Sequence, residues 1–496
     1  MRWLKQIYEW TDKRMQIGEP VKEMALHPIP NKTASWWYVF GSAAFVLLML
    51  QIVTGILLAL VYVPSAGEAW NSLNALNHQL PLGWFLRAMH GWGSNFMVAV
   101  VLIHMAQVFL FGAYKFPREL TWILGVFLLL MTLGMAFTGQ VLRFDQDAYW
   151  GLGIGASIAS RVPFVGGPLV HMMLGGPIIA GATLSRFFAL HVFVIPGTLL
   201  VFALAHVWMV LKLGINDWPM PGRVVRRETY MAEYHKLAHE DGRPFVPGGV
   251  WKDAFFSAAI IAAVAVCAAV FGPYGPSGQP DPTIIQTAPK PDFFFLWLYS
   301  VLSYLPPDLE TPFLLVAPVV GIALLLGLPF YAAEGEKSWH RRPVAVLVLT
   351  SVAVGWGVLT HLGTFTPWSP KMDAWSGGPA VPERYTHAAS PIERQGAVVF
   401  QAKQCRNCHA IDGVGGERGP ALDTIATRMT EDQLIRQVLQ GGGNMPAYGK
   451  NLSPSEVTAL VRFLETLHPA NQPAATDASQ AAAAIVSTPE PNPPSH

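Results

Sequence analysis

The sequence predicts an all-α fold: a seven-helix transmembrane bundle followed by a small helical domain. Three observations predict it. The 496 residues are 52% hydrophobic and only 13% charged, with a mean hydropathy of +0.35, which is the composition of a polytopic membrane protein. Seven apolar stretches, near 36–63, 82–112, 118–139, 183–212, 254–272, 312–332 and 343–362, are long enough to span the hydrocarbon, about 30 Å at about 1.5 Å per residue. Past residue 363 the composition turns soluble.

Taken in chain order, residues 1–35 are mixed and charged and show no cleavable signal-peptide pattern. Within them WLKQIYEWTDKRMQI predicts an amphipathic helix on the membrane surface. Residues 36–250 hold the first four spans, and 251–365 the last three. Two loops rich in Gly and Pro, 141–182 and 273–311, interrupt them; loops of that length usually carry function. Residues 366–389 read as a linker, 390–469 as the small helical domain, and the Ala- and Pro-rich tail 470–496 as disordered.

Charge sets the orientation. Arg2, Lys5, Lys13, Arg14, Lys22 and Lys32 precede the first span. Lys115 and Arg118 follow the second, Arg223, Arg226, Arg227, Lys236 and Arg243 the fourth, and Lys337, Arg341 and Arg342 the sixth. The alternate loops carry few basic residues. By the positive-inside rule the N-terminus is cytoplasmic, and seven crossings leave the small domain outside. The net charge of +1 marks no nucleic-acid partner, and none is expected.

The cysteines are Cys267, in an apolar run, and Cys405 and Cys408 in CRNCH. No disulfide framework is implied. CRNCH matches the attachment pattern of a covalent c-type haem, with Cys405 and Cys408 on the vinyl groups and His409 as an axial ligand. Met445 in GGGNMPAYG is the candidate second ligand, since Met/His ligation raises the haem potential. A redox CxxC and half a zinc site are the alternatives.

Four histidines lie in spans. His90 and His104 are fourteen residues apart, His191 and His206 fifteen, either step close to four helical turns, about 21–22 Å. In antiparallel helices His90 comes level with His191 near the outer surface, and His104 with His206 near the cytoplasmic one. Two bis-imidazole sites fit two non-covalent b-type haems. Hydrogen bonds between helices and a proton relay are the other readings. Gly41 and Gly55, and Gly125 and Gly139, repeat the fourteen-residue step. Glycine permits the close approach a flat macrocycle needs; ordinary helix packing is the alternative.

On these residues, and on PRELTW (117–122), VPFVGGPLV (162–170) and RFFALH (186–191), residues 1–365 resemble cytochrome b of the quinol:cytochrome c oxidoreductases, the cytochrome bc1 and b6f complexes. The resemblance implies a dihaem four-helix core in 36–250. His90 and His191 would hold the low-potential haem, His104 and His206 the high-potential one, and Arg87 would lie near a haem propionate. The fifteen-residue step and the stop at seven spans resemble cytochrome b6 with its subunit IV (here 251–365) fused, followed by a class I cytochrome c domain. Val39 stands where that branch has a cysteine, so no third membrane haem is expected.

KPDFFFLWLYSVLSYLPPDL aligns with the family's PEWY segment, giving Pro291-Asp292-Phe293-Phe294. Asp292 keeps the carboxylate that accepts a quinol proton, and Phe294 lacks the usual tyrosine hydroxyl. LRFDQ (142–146) departs from the family's LPWGQ or LPWDQ. Its Asp145 is a second candidate for the proton work, or one half of a surface pair with Arg143. His235 and His239 have metal-ligand spacing but read more simply as a solvated helix face. His171 has no assigned role, and the quinone-reducing site is expected near Lys212 and the N-terminal segment.

The resemblance implies a respiratory or photosynthetic quinol:cytochrome c oxidoreductase subunit of the bacterial cytoplasmic membrane. It would oxidise quinol at the outer face and pass electrons through two b haems, and via a Rieske-type iron–sulfur partner to its own c haem, building a proton gradient. The acceptor would be a soluble or membrane cytochrome c or an oxidase, and the complex a homodimer among membrane lipids. A dihaem membrane anchor of a dehydrogenase and a non-bifurcating redox scaffold are the rival functions.

Overall fold

The computed structural model describes residues 2–475 apart from 17, 177–178, 282–289, 366–379, 388, 404, 416–418, 441–444, 446–447, 450–451 and 473. Most of the expected linker and the tail from 476 onward lie outside the described residues. Seven helices there are long and apolar enough to cross a membrane. They are α1 (Phe40–Ala59), α2 (Gly83–Leu110), α3 (Glu119–Val141), α4 (Gly181–Leu213), α5 (Val250–Phe271), α6 (Leu309–Tyr331) and α7 (Pro343–Phe365). Each falls on an expected span. The first is shorter than expected because WWY (36–38) forms a separate 3₁₀ turn.

α4 is not uniform. Over Leu190–Val194 it widens into a π turn and returns to α geometry at Ile195. Pro196 supplies a local cause, since it has no N–H for the carbonyl four residues back and its ring crowds that carbonyl.

The chain divides into two compact units: Met1–Phe144 with Leu184–Pro276 and Thr311–Val358, and Asp145–Thr183 with Ser277–Glu310 and Leu359–His496. In the first, α1 packs along α2, α3 along α4, and α5 against both α1 and α2. Ala43, Leu47, Met97, Val100, Leu199, Ala203 and Val264 interlock as its apolar core. Most of each span remains open, with about a third of the most apolar stretch of α3 buried and none of that of α7, as expected of helices whose outer faces meet lipid rather than protein. The Trp122 indole donates to the Leu325 carbonyl at 2.7 Å, tying α3 to α6.

The basic loops of this unit are pinned by two short antiparallel pairs, Pro28–Pro30 with Gly242–Pro244 and Val224–Val225 with Gly335–Glu336. Arg2–Met15 is helical, with Trp3, Ile7 and Trp10 exposed. His235 and His239 are exposed on the helix Tyr230–Glu240.

The second unit contains the loop helices Gln146–Ser160, Gly166–Leu174 and Phe293–Tyr304, and the small helical domain. That domain is built on helices Pro391–Ala402 and Pro454–Glu465, each started by a capping box, Ser390 with Glu393 and Ser453 with Glu456. The two helices cross at Gly396, which lies directly on the Ala459 carbonyl. Phe400 and Phe463 meet beside the crossing with ring centroids 5.4 Å apart.

Candidate haem and quinone sites

His90 projects from α2 and His191 from the π turn of α4. Their ring centroids are 6.3 Å apart and their planes 77° apart. That separation is too wide for a direct hydrogen bond between ring nitrogens facing along the centroid line. It is close to two metal–imidazole bonds of about 2.0–2.1 Å with half a ring on either side. Thr54 Oγ1 lies 2.8 Å from His90 Nδ1, and Thr138 Oγ1 lies 2.9 Å from His191 Nδ1. The same hydroxyls reach backbone carbonyls, Leu50 at 2.7 Å and Gly134 at 2.9 Å.

His104 and His206 stand at the second level, close enough to couple electrostatically. Among the described residues His104 Nδ1 finds no hydrogen-bond partner, and the His206 ring finds only the Thr121 carbonyl. A buried polar atom in hydrocarbon is costly without a partner, so the second level fits a ligand-bound state.

The four glycines each face one of the four histidines. A Cβ at Gly55 would stand 3.2 Å from His90 Cε1, and one at Gly139 only 2.7 Å from His191 Cε1. At Gly41 the distance is 3.2 Å to His104 Cε1, and at Gly125 it is 3.6 Å to His206 Cε1. The space the glycines leave therefore takes the imidazoles themselves, where the sequence pointed to a macrocycle pressing on the flanking helices.

The π turn accounts for the unequal steps. A π turn inserts one residue into an α-helix, so fifteen residues of α4 cover the rotation that fourteen cover in α2. Arg87, one turn before His90, is 8% exposed. It donates to Asn77 Oδ1 at 3.1 Å and to the carbonyls of Gly275 and Tyr274 at 2.5 and 2.6 Å, holding the segment that follows α5.

In the small domain, Cys405 and Cys408 occupy partly buried positions. Burial and the neighbouring Cys408 push the Cys405 thiol up to about 12. His409 Nδ1 lies 2.8 Å from the Pro420 carbonyl. A carbonyl only accepts, so Nδ1 carries the proton and Nε2 is left with its lone pair, the arrangement of an iron-ligating histidine. Gly419 packs against the same ring. Arg406, 1% exposed, donates to the carbonyls of Ala380, Ile411 and Val414 and staples the CRNCH turn. Met445 and Cys405 both pack against the domain core, and the Met445 sulfur lies 3.5 Å from Gln437 Nε2. These donor sets fit a covalent haem.

Asp292 is the residue before the helix Phe293–Tyr304, and its carbonyl accepts from Phe295 N at 2.9 Å. Phe294 is 4% exposed, with Phe293 and Phe295 at 5.2 and 5.0 Å between ring centroids. One element was missed in the sequence: Tyr299 on the same helix has a buried hydroxyl that meets no hydrogen-bond partner among the described residues, and burial pushes it up to about 12. Asp145 is buried, and both its oxygens accept backbone N–H groups, Ala148 N and Ser277 N, each at 2.9 Å. It is an N-cap that ties two loops of its unit together, and Arg143 lies over the Tyr274 ring at 4.7 Å.

A small enclosed cavity in the first unit is lined by Thr33, Ser35, Tyr38, Val39, Lys252 and Asp253 among others. Lys252 Nζ donates to the Ala34 carbonyl at 2.7 Å, and Ser42 Oγ to Asp253 at 2.8 Å. Lys212 is exposed and outside the lining.

Comparison with known proteins decides the family. The model described as cytochrome b/b6/petB matches residues 26–214. Over 209 residues the chain is 38% identical to cytochrome b6 of Heliobacterium modesticaldum, covering 42% of this chain and 98% of that one. The chain belongs to the cytochrome b/b6 family. It is 36% identical over 220 residues to the cytochrome b subunit of the menaquinol:cytochrome c reductase of Geobacillus thermodenitrificans, covering 43% of this chain and 98% of that one. With cytochrome b of Rhodobacter capsulatus the match runs over 323 residues at 32% identity, 64% of this chain and 71% of that one. A solved hyperthermophilic respiratory Complex III chain superposes with a TM-score of 0.63 at 27% identity, covering 80% of this chain and 95% of that one. Residues 392–464 match a second model, described as cytochrome C oxidase, cbb3-type, subunit III. The chain is a b6-like, multi-pass membrane cytochrome b that carries its own cytochrome c domain, a member of a haem-binding oxidoreductase family.

Proposed function

We propose that the chain is the quinol-oxidising, electron-carrying subunit of a quinol:cytochrome c oxidoreductase in a bacterial cytoplasmic membrane. The N-terminus is cytoplasmic and the cytochrome c domain outside. The observation that carries the proposal is the His90–His191 pair, 6.3 Å apart between ring centroids, each ring backed by a glycine and met by a threonine. His90 with His191 and His104 with His206 would hold two b haems. Cys405, Cys408, His409 and Met445 would hold one c haem. When bound, these groups supply one-electron carriers at two depths of the membrane and outside it.

The chain's own residues do the rest at the quinol site. Quinol oxidation releases two electrons and two protons, so the site needs a proton acceptor and a dry wall. Asp292 is the acceptor. Phe294, buried among its neighbours, excludes water and leaves the phenol duty to Tyr299, whose buried hydroxyl is free to meet the quinol. Asp145 positions the loops, its two oxygens serving backbone amides.

At the cytoplasmic side, quinone is reduced near the N-terminal segment, with Tyr38, Lys252 and Asp253 the polar side chains at hand there. A Rieske-type iron–sulfur protein takes one of the two quinol electrons, and a cytochrome c or an oxidase receives it from the c domain. The other electron crosses to quinone, so each turnover works against the membrane potential, about 2.3 kcal/mol per charge per 100 mV. The complex is a homodimer.

The test is quinol-dependent reduction of the b haems with the iron–sulfur partner present. Asp292→Asn should slow it at least tenfold while haem content stays unchanged. Equal rates in mutant and wild type would remove Asp292 from its role.

A further inference from the structure

Two hydroxyls set one histidine pair apart from the other. Thr54 Oγ1 is 2.7 Å from the Leu50 carbonyl and 2.8 Å from His90 Nδ1. Thr138 Oγ1 is 2.9 Å from the Gly134 carbonyl and 2.9 Å from His191 Nδ1. A hydroxyl has one proton, and a carbonyl can only accept it. Each threonine therefore spends its proton on its own helix and presents a lone pair to the imidazole. Nδ1 of His90 and of His191 must carry the ring proton and donate it.

At the second level the same positions are apolar. The glycine facing each ring follows Thr54 and Thr138 at the first level, but Phe40 and Leu124 at the second. Among the described residues His104 Nδ1 accordingly has no partner, and His206 meets a backbone carbonyl, that of Thr121, but no hydroxyl. The Nδ1 atoms of His104 and His206 are buried, so solvent water does not stand in for the missing hydroxyls.

An acceptor on the far nitrogen makes an imidazole a stronger electron donor to a metal on the near one. The more strongly donating pair favours ferric over ferrous iron, and hydrogen bonding beyond the ligands is one of the means by which a protein sets haem potential. We infer that Thr54 and Thr138 are positioning residues that hold the reduction potential of the His90–His191 site below that of the His104–His206 site, so that an electron arriving at the first runs downhill to the second. The inference rests on the proposed haem binding. It adds a cause for the difference, located in two side chains that touch neither iron nor quinol.

The experiment is a potentiometric titration of the purified full-length chain, following both b haems in wild type, Thr54→Val, Thr138→Val, and Thr54→Ser and Thr138→Ser. Each valine variant should raise the midpoint of one and the same b haem. Loss of such an outer partner changes metal-site properties by about tenfold or more, and a tenfold shift in a one-electron equilibrium is about 59 mV. Serine, which keeps the hydroxyl, should restore the wild-type value, and the other b haem should not move. A valine variant that loses one b haem while its serine counterpart keeps it also assigns the hydroxyl to holding the ring. Two bound b haems with unmoved midpoints, or with both moved equally, would overturn the inference alone. Fewer than two b haems in wild type would overturn the underlying reading with it.

Discussion

Asp217 and Lys337 form an ion pair 120 residues apart in sequence, with both side chains 1% exposed. Tyr230 donates to Asp217 at 2.6 Å, Arg223 Nε at 2.8 Å, and Lys337 also donates to Asn216 at 2.6 Å. The loop after α4 is thereby locked to the loop between α6 and α7. Burial alone would push the Asp217 carboxyl up; Lys337, Tyr230 and Arg223 outweigh it and hold it well below the usual carboxylate range.

Removing the Asp217 charge leaves the buried Lys337 without an anionic partner among the described residues, and breaking such a pair costs about 3–5 kcal/mol. Asp217→Asn should lower the melting temperature of the detergent-solubilised protein strongly, and Asp217→Leu combined with Lys337→Met should recover most of the loss. The pH dependence follows in sign. The folded-state pKa lies below the unfolded one, so the stabilisation is fully present above the unfolded value, about 3.9, and is lost as pH falls below it. Wild type should therefore lose stability below about pH 4 more steeply than Asp217→Asn.

The glycines predict a ranked series. A Cβ at Gly139 would stand 2.7 Å from His191, closer than real Cβ contacts come, and one at Gly125 would stand 3.6 Å from His206, an ordinary contact. Gly139→Ala should displace the imidazole and lose one b haem. Gly125→Ala should keep both, and Gly41→Ala and Gly55→Ala should fall between. Haem content of the purified variants gives the order. A Gly125 variant as damaged as the Gly139 variant would contradict it.

In the small domain, Gly396→Ala would drive a methyl group into the Ala459 carbonyl. Backbone cannot give way as a flexible side chain does, so the helix crossing should open at a cost of about 1–3 kcal/mol. The expected result is reduced c-type haem incorporation with the b haem absorbance unchanged.

The parts legible in the sequence are those that repeat or that follow a short motif. Seven spans stand out because each must be continuously apolar. His90, His104, His191 and His206 stand out because a polar ring in such a run needs a reason. CRNCH is local. The missed parts are single residues acting over long separations. Thr54 and Thr138 look like ordinary helix threonines returning a bond to the preceding turn, as indeed they do. The dipeptide Thr-Gly at 54–55 and again at 138–139, against Phe-Gly and Leu-Gly at the second level, is the signal that marks them.

The π turn at Leu190–Val194 shows in sequence only as a step of fifteen instead of fourteen. Asp145 reads as a charge at an outer edge until its oxygens are seen on Ala148 and Ser277. Asp217 and Lys337 carry no mark of their pairing, because nothing local links residues so far apart.

The central claim is that two histidine pairs and one CRNCH turn hold three haems in one chain. A reduced-minus-oxidised spectrum of the purified protein, quantified per chain after pyridine extraction, tests it most directly. The account predicts two extractable b haems and one c haem that stays with the polypeptide, with one b haem lost on His191→Ala and the c haem lost on Cys405→Ala. One b haem or none in the wild-type protein would contradict it.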